Sequence, residues 1–471
     1  LKNNRIPEKV KSIHLIATCG TGMGALAGML KESGFEVTGS DHHVYPPMST
    51  FLAERGIQIA EGFRPQNLSH RPDLVVVGNA VSKDNPEVVG MFEMDLPFCS
   101  FPQALNRFFI HGKAALTVAG THGKTTTSAL LAWVLSAAGL DPGFMVGGIL
   151  KNFDRNYNVG TGAYFIVEAD EYDTAFFDKG PKFLHYTPSR AILTSVEFDH
   201  ADIFRDLDHV KKAFLDFVRA MPEEALLVAC DAAPDVRDLA AQAPCWVATY
   251  GFGASSPWRL EHVSFDPPWT YLEVTARGEP FGTFRTPLMG VHNALNALAV
   301  IAVAHDMRLP KDLISRALET FEGIKRRQEV RGIQRGITVI DDFAHHPTEV
   351  RETLAAVRAF YGNSRIIAVF EPRTNSSRRK VFQEVYPAAF DDADQVCIRK
   401  PPLLEKIPPE DRFSSEQLTR DLESRGKKAF FFADTDAIID YLIKAAEPAD
   451  VILIMSNGGF DNIHERLLRG L

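Results

Sequence analysis

Val118-Ala-Gly-Thr-His-Gly-Lys-Thr-Thr126 follows an apolar run over 114–118 and leads into a helical pattern over 125–140. A strand, a Gly-rich turn and a helix opening with Lys-Thr make a phosphate cradle, because the turn's N–H groups and the helix dipole both face an anion. In such a cradle Lys124 reaches the β- and γ-phosphates and the Thr125 hydroxyl meets Mg²⁺. The full G-x-x-x-x-G-K-[ST] pattern would have Gly at 118, where this chain has Val. Gly120, Thr121, His122, Gly123, Lys124, Thr125 and Thr126 are therefore the expected contacts to ATP, and the strand–turn–helix order points to a parallel α/β sheet.

Outward from this turn, strand-like and helical runs alternate on both sides. With 471 residues the chain exceeds one ordinary core, and three blocks are expected: 1–112, 113–322 and 323–471. The first and last read as Rossmann-like sheets, and the middle as a parallel sheet around the phosphate turn. Within the middle block, 245–286 changes to short strands between Gly/Pro turns, which predicts a small antiparallel flap on the central sheet. The Pro-rich 401–409 reads as a surface loop.

The net charge of −9 and the lack of a long Lys/Arg run argue against a nucleic-acid partner. Five scattered cysteines without a CxxC pair fit a reducing compartment and give neither a disulfide framework nor a zinc site. No apolar stretch reaches membrane-spanning length, and residues 1–11 lack the apolar core of a signal peptide. A cytoplasmic protein without a membrane partner, monomeric or weakly oligomeric, is expected.

A second glycine turn, Cys19-Gly-Thr-Gly-Met-Gly-Ala25, follows the first strand and opens a helix. Read as G20-x-G22-x-x-A25 it satisfies the dinucleotide fingerprint, and Asp41, after the second strand, is placed to accept from ribose hydroxyls. Taken alone, this block suggests an NAD-dependent dehydrogenase. The same physics holds any pyrophosphate and ribose, however, and an ATP site in the next block favours a nucleotide-linked substrate. Gly20, Gly22, Gly24, Ser40, Asp41, Asn79 and Ser82 are the candidates for holding a UDP-linked molecule.

Three clusters could carry chemistry. Tyr164-Phe-Ile-Val-Glu-Ala-Asp-Glu-Tyr-Asp173 runs from an apolar strand into four carboxylates within six residues. Such crowding calls for a cation, and beside a phosphate turn that cation is Mg²⁺. Thr194-Ser-Val-Glu-Phe-Asp-His-Ala-Asp202 surrounds His200 with Glu197, Asp199 and Asp202. Imidazole suits Mg²⁺ less well than carboxylate, so chemistry alone leaves His200 open. Val339-Ile-Asp-Asp-Phe-Ala-His-His-Pro-Thr-Glu349 offers Asp342 for a ribose and His345 or His346 for a phosphate or an amine, without zinc spacing.

With Gly290-Val-His-Asn-Ala-Leu-Asn296 and the basic Arg326-Arg327, these motifs stand in an order that resembles the Mur ligase family of peptidoglycan synthesis, over essentially the whole chain. The resemblance implies ATP and Mg²⁺, with Lys124 and Thr125 at the phosphates and metal, Glu171 as metal-binding glutamate and His200 as metal-linked histidine. These make Lys124, Glu171 and His200 the catalytic set and Thr125, Glu171 and His200 the metal set. Asn293 and Asn296 match the adenine-side asparagines, and Arg327 and Asp342 the residues closing onto the nucleotide. Phe214 stands where several relatives have a carbamoylated lysine, so no such modification is expected, although Lys211 and Lys212 lie nearby.

Two branches of the family use UDP-N-acetylmuramate itself. One adds L-alanine; the other attaches the recycled tripeptide L-alanyl-γ-D-glutamyl-meso-diaminopimelate. Val44-Tyr-Pro-Pro-Met-Ser-Thr50, Ala175-Phe-Phe-Asp-Lys179, Phe370-Glu-Pro-Arg-Thr-Asn375 and Met455-Ser-Asn-Gly-Gly-Phe460 look like the recycling branch. The implied chemistry passes through an acyl phosphate, with one Mg²⁺ at Thr125 and Glu171 and a second near His200. Arg373 and Asn375, with His345 and His346, are the candidates for the tripeptide, since Arg can clamp a carboxylate bidentately. The alternatives are the alanine-adding ligase and, from another class, a P-loop ATPase switch without ligation.

Overall fold

The computed structural model describes residues 3–45, 48–201 and 203–471. Three sheets follow one another along the chain. The first has five parallel strands in the spatial order Gln58–Glu61, Glu36–Asp41, Ser12–Ile16, Leu74–Val77, Phe98–Ser100. Leu74-Val-Val-Val77 is buried along its whole length, as a strand covered on both faces requires. The helix Thr21–Glu32 leaves the C-terminal end of the first strand, so the glycine turn lies on the sheet's C-terminal edge.

The second sheet has ten strands. Its parallel centre orders Trp246–Gly251, Leu226–Cys230, Pro188–Leu193, Ala114–Ala119, Tyr164–Ala169 and Gly143–Leu150. The expected antiparallel flap over 245–286 is present and extends this sheet, and only its first strand departs from the expectation by running parallel. Trp246–Gly251 runs parallel to Leu226–Cys230, and through Tyr250 and Gly251 it passes the sheet on to the antiparallel strands Trp258–Asp266, Trp269–Ala276 and Glu279–Thr286. Alternation along a strand shows which face is buried but not which distant strand will pair with it.

The third sheet orders Glu329–Gln334, Ile337–Asp342, Val451–Met455, Ile366–Phe370, Gln395–Arg399 and Lys428–Phe432. Only the first pair is antiparallel. The edge strand Glu329–Gln334, half exposed, has no clear apolar run to mark it in the sequence. The 401–409 segment carries the short 3₁₀ turn Leu404–Lys406 and leads into another, Pro409–Asp411.

Packing divides the molecule unevenly. A single apolar cluster runs from Ile13 and Leu26 of the first sheet through Leu116, Leu130 and Phe144 of the second. The third sheet carries its own clusters on its two faces, around Leu354 and Phe370 and around Ile438 and Ile454. The connection is short: Lys151 N–H donates to Gly323 O, Lys325 N–H to Ile149 O, and Gly323, Arg326 and Gln328 all take positive φ. The first two sheets therefore share a core, whereas the third meets them mainly through polar groups.

Candidate active site

The helix Lys124–Ala137 begins directly at the phosphate turn. Its N-cap, Gly123, has φ +82°, and a Cβ there would lie 2.8 Å from Asn296 Oδ1. Left-handed backbone and close approach together require glycine. Val118 is buried inside the strand Ala114–Ala119, so the turn proper starts at Gly120 and position 118 serves the sheet. The next strand end holds the turn: Thr121 N–H donates to Ser195 O (3.0 Å), His122 N–H to Ser195 Oγ (2.9 Å), and the Thr194 hydroxyl to His122 O (2.5 Å).

Lys124 folds back over this turn. Its ammonium donates to Gly120 O (2.5 Å), Thr121 O (3.4 Å) and Glu171 Oε2 (3.1 Å). Glu171 is 2% exposed, and its other oxygen lies 3.8 Å from His200 Nε2. Lys124, Glu171 and His200 are thus brought together. Thr125 is placed differently, since its hydroxyl donates to Glu168 Oε2 (3.2 Å), whose partner oxygen accepts from Gly147 N–H (2.6 Å). Burial and then Asp170 push the Glu168 carboxyl above its ordinary value. Burial alone would raise Asp170 too, but Lys182 and Lys124 outweigh it and hold that group below the usual range. Glu168, Asp170 and Lys182 were not singled out from the sequence as site residues; Glu168 and Asp170 stood within the acidic motif. Asp202, expected beside His200, lies outside the described residues, as do Pro46 and Pro47 of the 44–50 motif.

The third sheet closes over the turn through the helix Pro347–Tyr361. His122 sits between Glu349 Oε1 (3.3 Å from Nδ1) and Glu197 Oε2 (3.6 Å from Nε2). Burial would lower His122, but the two carboxylates outweigh it and carry it up to about 10. Glu197, which burial would raise, is drawn down to about 2 by His122. The Thr348 hydroxyl donates to Glu197 Oε2 (2.6 Å), and His345 Nε2 is 3.9 Å from Asp199. His122, Glu197 and His346 come near enough to suggest a metal triad. His346 is the N-cap, however: its Nδ1 accepts from Thr348 N–H (3.2 Å) and its Nε2 donates to Phe198 O (3.2 Å). Both nitrogens are engaged, and burial lowers the ring to about 4, so His346 is a neutral joint between domains with no lone pair to offer an ion.

A cleft of about 530 Å³ runs from Lys124 and Thr125 past Asn293 and Asn296 to Arg327 and Asp342. Asn296 Nδ2 donates to Asn293 Oδ1 (3.1 Å), and Asn293 Nδ2 to Met289 O (2.8 Å) and Gln328 Oε1 (3.0 Å). Gln328 Nε2 and His292 Nδ1 also line the cleft and have no hydrogen-bond partner among the described residues. Neither was anticipated; an unspent polar atom is visible only once the neighbours' bonds are counted. Asp342 accepts from Gln328 N–H (2.8 Å) and Ala344 N–H (2.7 Å), and burial lifts it to about 6.

The other candidates lie at neighbouring strand ends. Gly20 and Gly22 are exposed on the first sheet's edge, Asn79 and Ser82 are exposed beyond Leu74–Val77, and the buried Ser40 hydroxyl has no partner among the described residues. Asp41 accepts from Cys19 N–H (2.8 Å), so it braces the glycine turn as well as facing any ribose. Arg373 Nη1 stands 3.5 Å from the buried Glu371, and Asn375 Oδ1 accepts from Arg378 (2.8 Å). Phe214 is fully buried against Phe183, while Lys211 pairs with Asp235 and Lys212 with Asp216.

Three family profiles match in sequence order: Mur ligase family, catalytic domain, over residues 12–112; Mur ligase middle domain over 118–304; and Mur ligase, glutamate ligase domain, over 326–458. The chain is 40% identical over 460 residues, 98% of each chain, to a UDP-N-acetylmuramate–L-alanyl-γ-D-glutamyl-meso-2,6-diaminoheptandioate ligase of Escherichia coli K12. It is 39% identical to a UDP-N-acetylmuramate–L-alanine ligase of Myxococcus xanthus, over 84% of this chain and 83% of that one. Among solved structures, a murein peptide ligase from Psychrobacter arcticus is similar at TM-score 0.72 and 35% identity, covering 98% of each chain. A UDP-N-acetylmuramate–alanine ligase from Thermotoga maritima is similar at TM-score 0.78 and 26% identity, covering 98% of this chain and 99% of that one. Phosphate turn, acidic strand end and closing third sheet are thus parts of one architecture, and the chain belongs to the Mur ligase family.

Proposed function

We propose that this chain is an ATP-dependent ligase that joins UDP-N-acetylmuramate to L-alanyl-γ-D-glutamyl-meso-diaminopimelate, with domains 1–112, 113–322 and 323–471 holding nucleotide sugar, ATP and peptide in turn. The 40% identity over 98% of the chain to a ligase named for that reaction carries the reading. A carboxylate is a poor electrophile, so its oxygen first attacks the γ-phosphorus of ATP and ADP leaves. The peptide's amine then attacks the carbonyl carbon of the acyl phosphate; inorganic phosphate departs and the nitrogen loses a proton. Every partner in the first step is anionic, so positioning and charge neutralisation dominate.

Lys124, now spent on Gly120, Thr121 and Glu171, is poised to turn its three N–H groups onto phosphate oxygens. The hydroxyl and carboxylate donors suit a hard cation. These residues fit Mg²⁺: Thr125 and Glu171 would hold one ion and His200 a second, and the ions would neutralise charge on the transferring phosphoryl group. His122, clasped by Glu197 and Glu349, ties the turn to the third sheet and so excludes water when the domains close. Asn293 and Asn296, with Gln328 and His292, would meet the base of ATP. Gly20, Gly22, Gly24, Ser40, Asp41, Asn79 and Ser82 would hold the UDP group, and Arg373, Asn375 and His345 would face the peptide.

A second reading, addition of L-alanine, is favoured by the near-equal identity to the Myxococcus enzyme and by the higher TM-score of the Thermotoga one. Phosphate release with ATP, Mg²⁺ and UDP-N-acetylmuramate, comparing L-alanine with the tripeptide, separates the two. Tripeptide-dependent release with a UDP-linked tripeptide in the mass spectrum is expected. Release with L-alanine alone supports the second reading, and release with neither defeats both.

A further inference from the structure

Lys182 opens the short 3₁₀ turn Lys182–His185, just after a two-stranded hairpin formed by Asp173–Ala175 and Asp178–Pro181. Its side chain is 11% exposed. The ammonium donates to Asp170 Oδ2 (3.2 Å), lies 4.0 Å from the centre of the Tyr172 ring, and is 5.8 Å from that of Phe101. Phe101 belongs to the first domain, and its ring is 3.7 Å from where a Cβ on Gly22 would sit. Tyr172 in turn is 5.3 Å, ring to ring, from His200. Lys182 therefore stands between the first domain's glycine turn and the acidic cluster beside the phosphate turn. The ATP cleft reaches Asp170 and Tyr172 but not Lys182 itself.

The two buried lysines differ in what they have left to give. Lys124 spends three N–H groups on protein acceptors, whereas Lys182 spends one of its three among the described residues. An ammonium this far from water with one hydrogen bond and an aromatic face under it is under-solvated, and an anion would complete its shell. A nucleotide-linked sugar acid bound as proposed above has its pyrophosphate at the Gly20–Gly24 turn, and its carboxylate must reach the γ-phosphate of an ATP seated at the Gly120–Thr126 turn. Lys182 lies on the path between them, nearer the acidic cluster.

We infer that Lys182 contacts the carboxylate of the UDP-linked sugar acid and so selects the acid over the parent neutral sugar. This rests on the reading that the substrate is UDP-N-acetylmuramate. UDP-N-acetylglucosamine, which lacks the lactyl group but keeps uridine, pyrophosphate and ring, isolates the term.

The test is calorimetric binding of both nucleotide sugars to the full-length protein and to Lys182→Met, with thermal midpoints recorded alongside. Loss of one charge-assisted hydrogen bond should weaken UDP-N-acetylmuramate by about 10- to 100-fold and change UDP-N-acetylglucosamine by less than about 2-fold. In turnover, KM for the sugar acid should rise while KM for ATP holds, a split that a merely structural role would not produce. Lys182→Arg, which keeps the charge, should retain most of the discrimination and serves if the methionine variant does not fold. Equal losses for both sugars would assign Lys182 to the pyrophosphate, and undiminished discrimination would remove it from the site; either overturns the inference. A wild-type protein that binds the two sugars equally would instead defeat the substrate reading, and this inference with it.

Discussion

Two glycine turns in this molecule look alike in sequence and behave differently in space. Both follow a first strand, both open a helix, and both lie at the C-terminal edge of a parallel sheet. At the central turn a neighbouring chain segment touches nearly every residue: a Cβ on Gly120 would strike the Thr194 hydroxyl, and one on Gly123 would crowd Asn296. At the first turn a Cβ on Gly20 would meet nothing within 4 Å, and the backbone there is ordinary, with φ −73°. The central turn is also ringed by Lys124, Glu171, Glu197 and Glu349, whereas the first is braced by Asp41. The first turn can simply receive a pyrophosphate. The central turn must hold one while charge moves, and its surroundings are fixed in advance for that purpose.

The sharpest way to break this contrast is to remove the central charge. Lys124→Ala should lower kcat/KM by about 10³-fold or more while leaving the folded structure intact by circular dichroism. Near-normal turnover would mean that the two turns differ in packing only. Removing the clasp is the next test. Glu349→Gln should lower kcat by about 10- to 100-fold through poorer closure, with little change in KM for the nucleotide sugar. An effect on that KM alone would place Glu349 at the first turn's substrate instead.

Stability offers a finer comparison. Gly123→Ala should cost about 1–3 kcal/mol, because a left-handed N-cap and a crowded Cβ both oppose it. Gly20→Ala should stay within about 0.5 kcal/mol. Equal thermal midpoints for the two variants would show that the central turn is no more constrained than the first.

The smallest effect is with pH. His122, raised to about 10 in the fold, adds stability that is fully present below its ordinary value near 6.5 and is lost as pH rises through 10. His346, lowered to about 4, adds stability present above 6.5 and lost as pH falls through 4. The thermal midpoint should therefore peak near neutrality and fall by a few degrees on either side. In Glu349→Gln the alkaline fall should flatten, since His122 loses one of the two carboxylates that raise it. An unchanged alkaline limb would show that Glu197 holds His122 alone.

Much of this was legible in the chain. Local chemistry announces itself locally: glycines before a helix, a buried Val run for a two-sided strand, carboxylates at a strand end. Three α/β units, a phosphate turn at Gly120–Thr126 and the acidic 168–173 segment follow from such patterns, and the motif order resembles one family. The continuous ten-stranded sheet was not legible, because the partner of Trp246–Gly251 is decided by pairing across the fold. Nor was the role of His346, which the sequence offers for a phosphate or an amine but which spends both nitrogens on Thr348 and Phe198.

The sequence by itself determined the cradle, the acids beside it and the family, because each is carried by residues a few positions apart, whose relative placement the strand and helix periods dictate. Tertiary structure alone decided which of those groups remain free to act. Lys182 follows an acidic segment in the chain while Lys124 has no acid near it in sequence, yet only the packing of the fold brings Lys124 to Glu171 and saturates it, and leaves Lys182 with N–H groups to spare among the described residues. Hydrogen-bond capacity is a sum over all neighbours, and most neighbours in a fold of this size are distant in sequence.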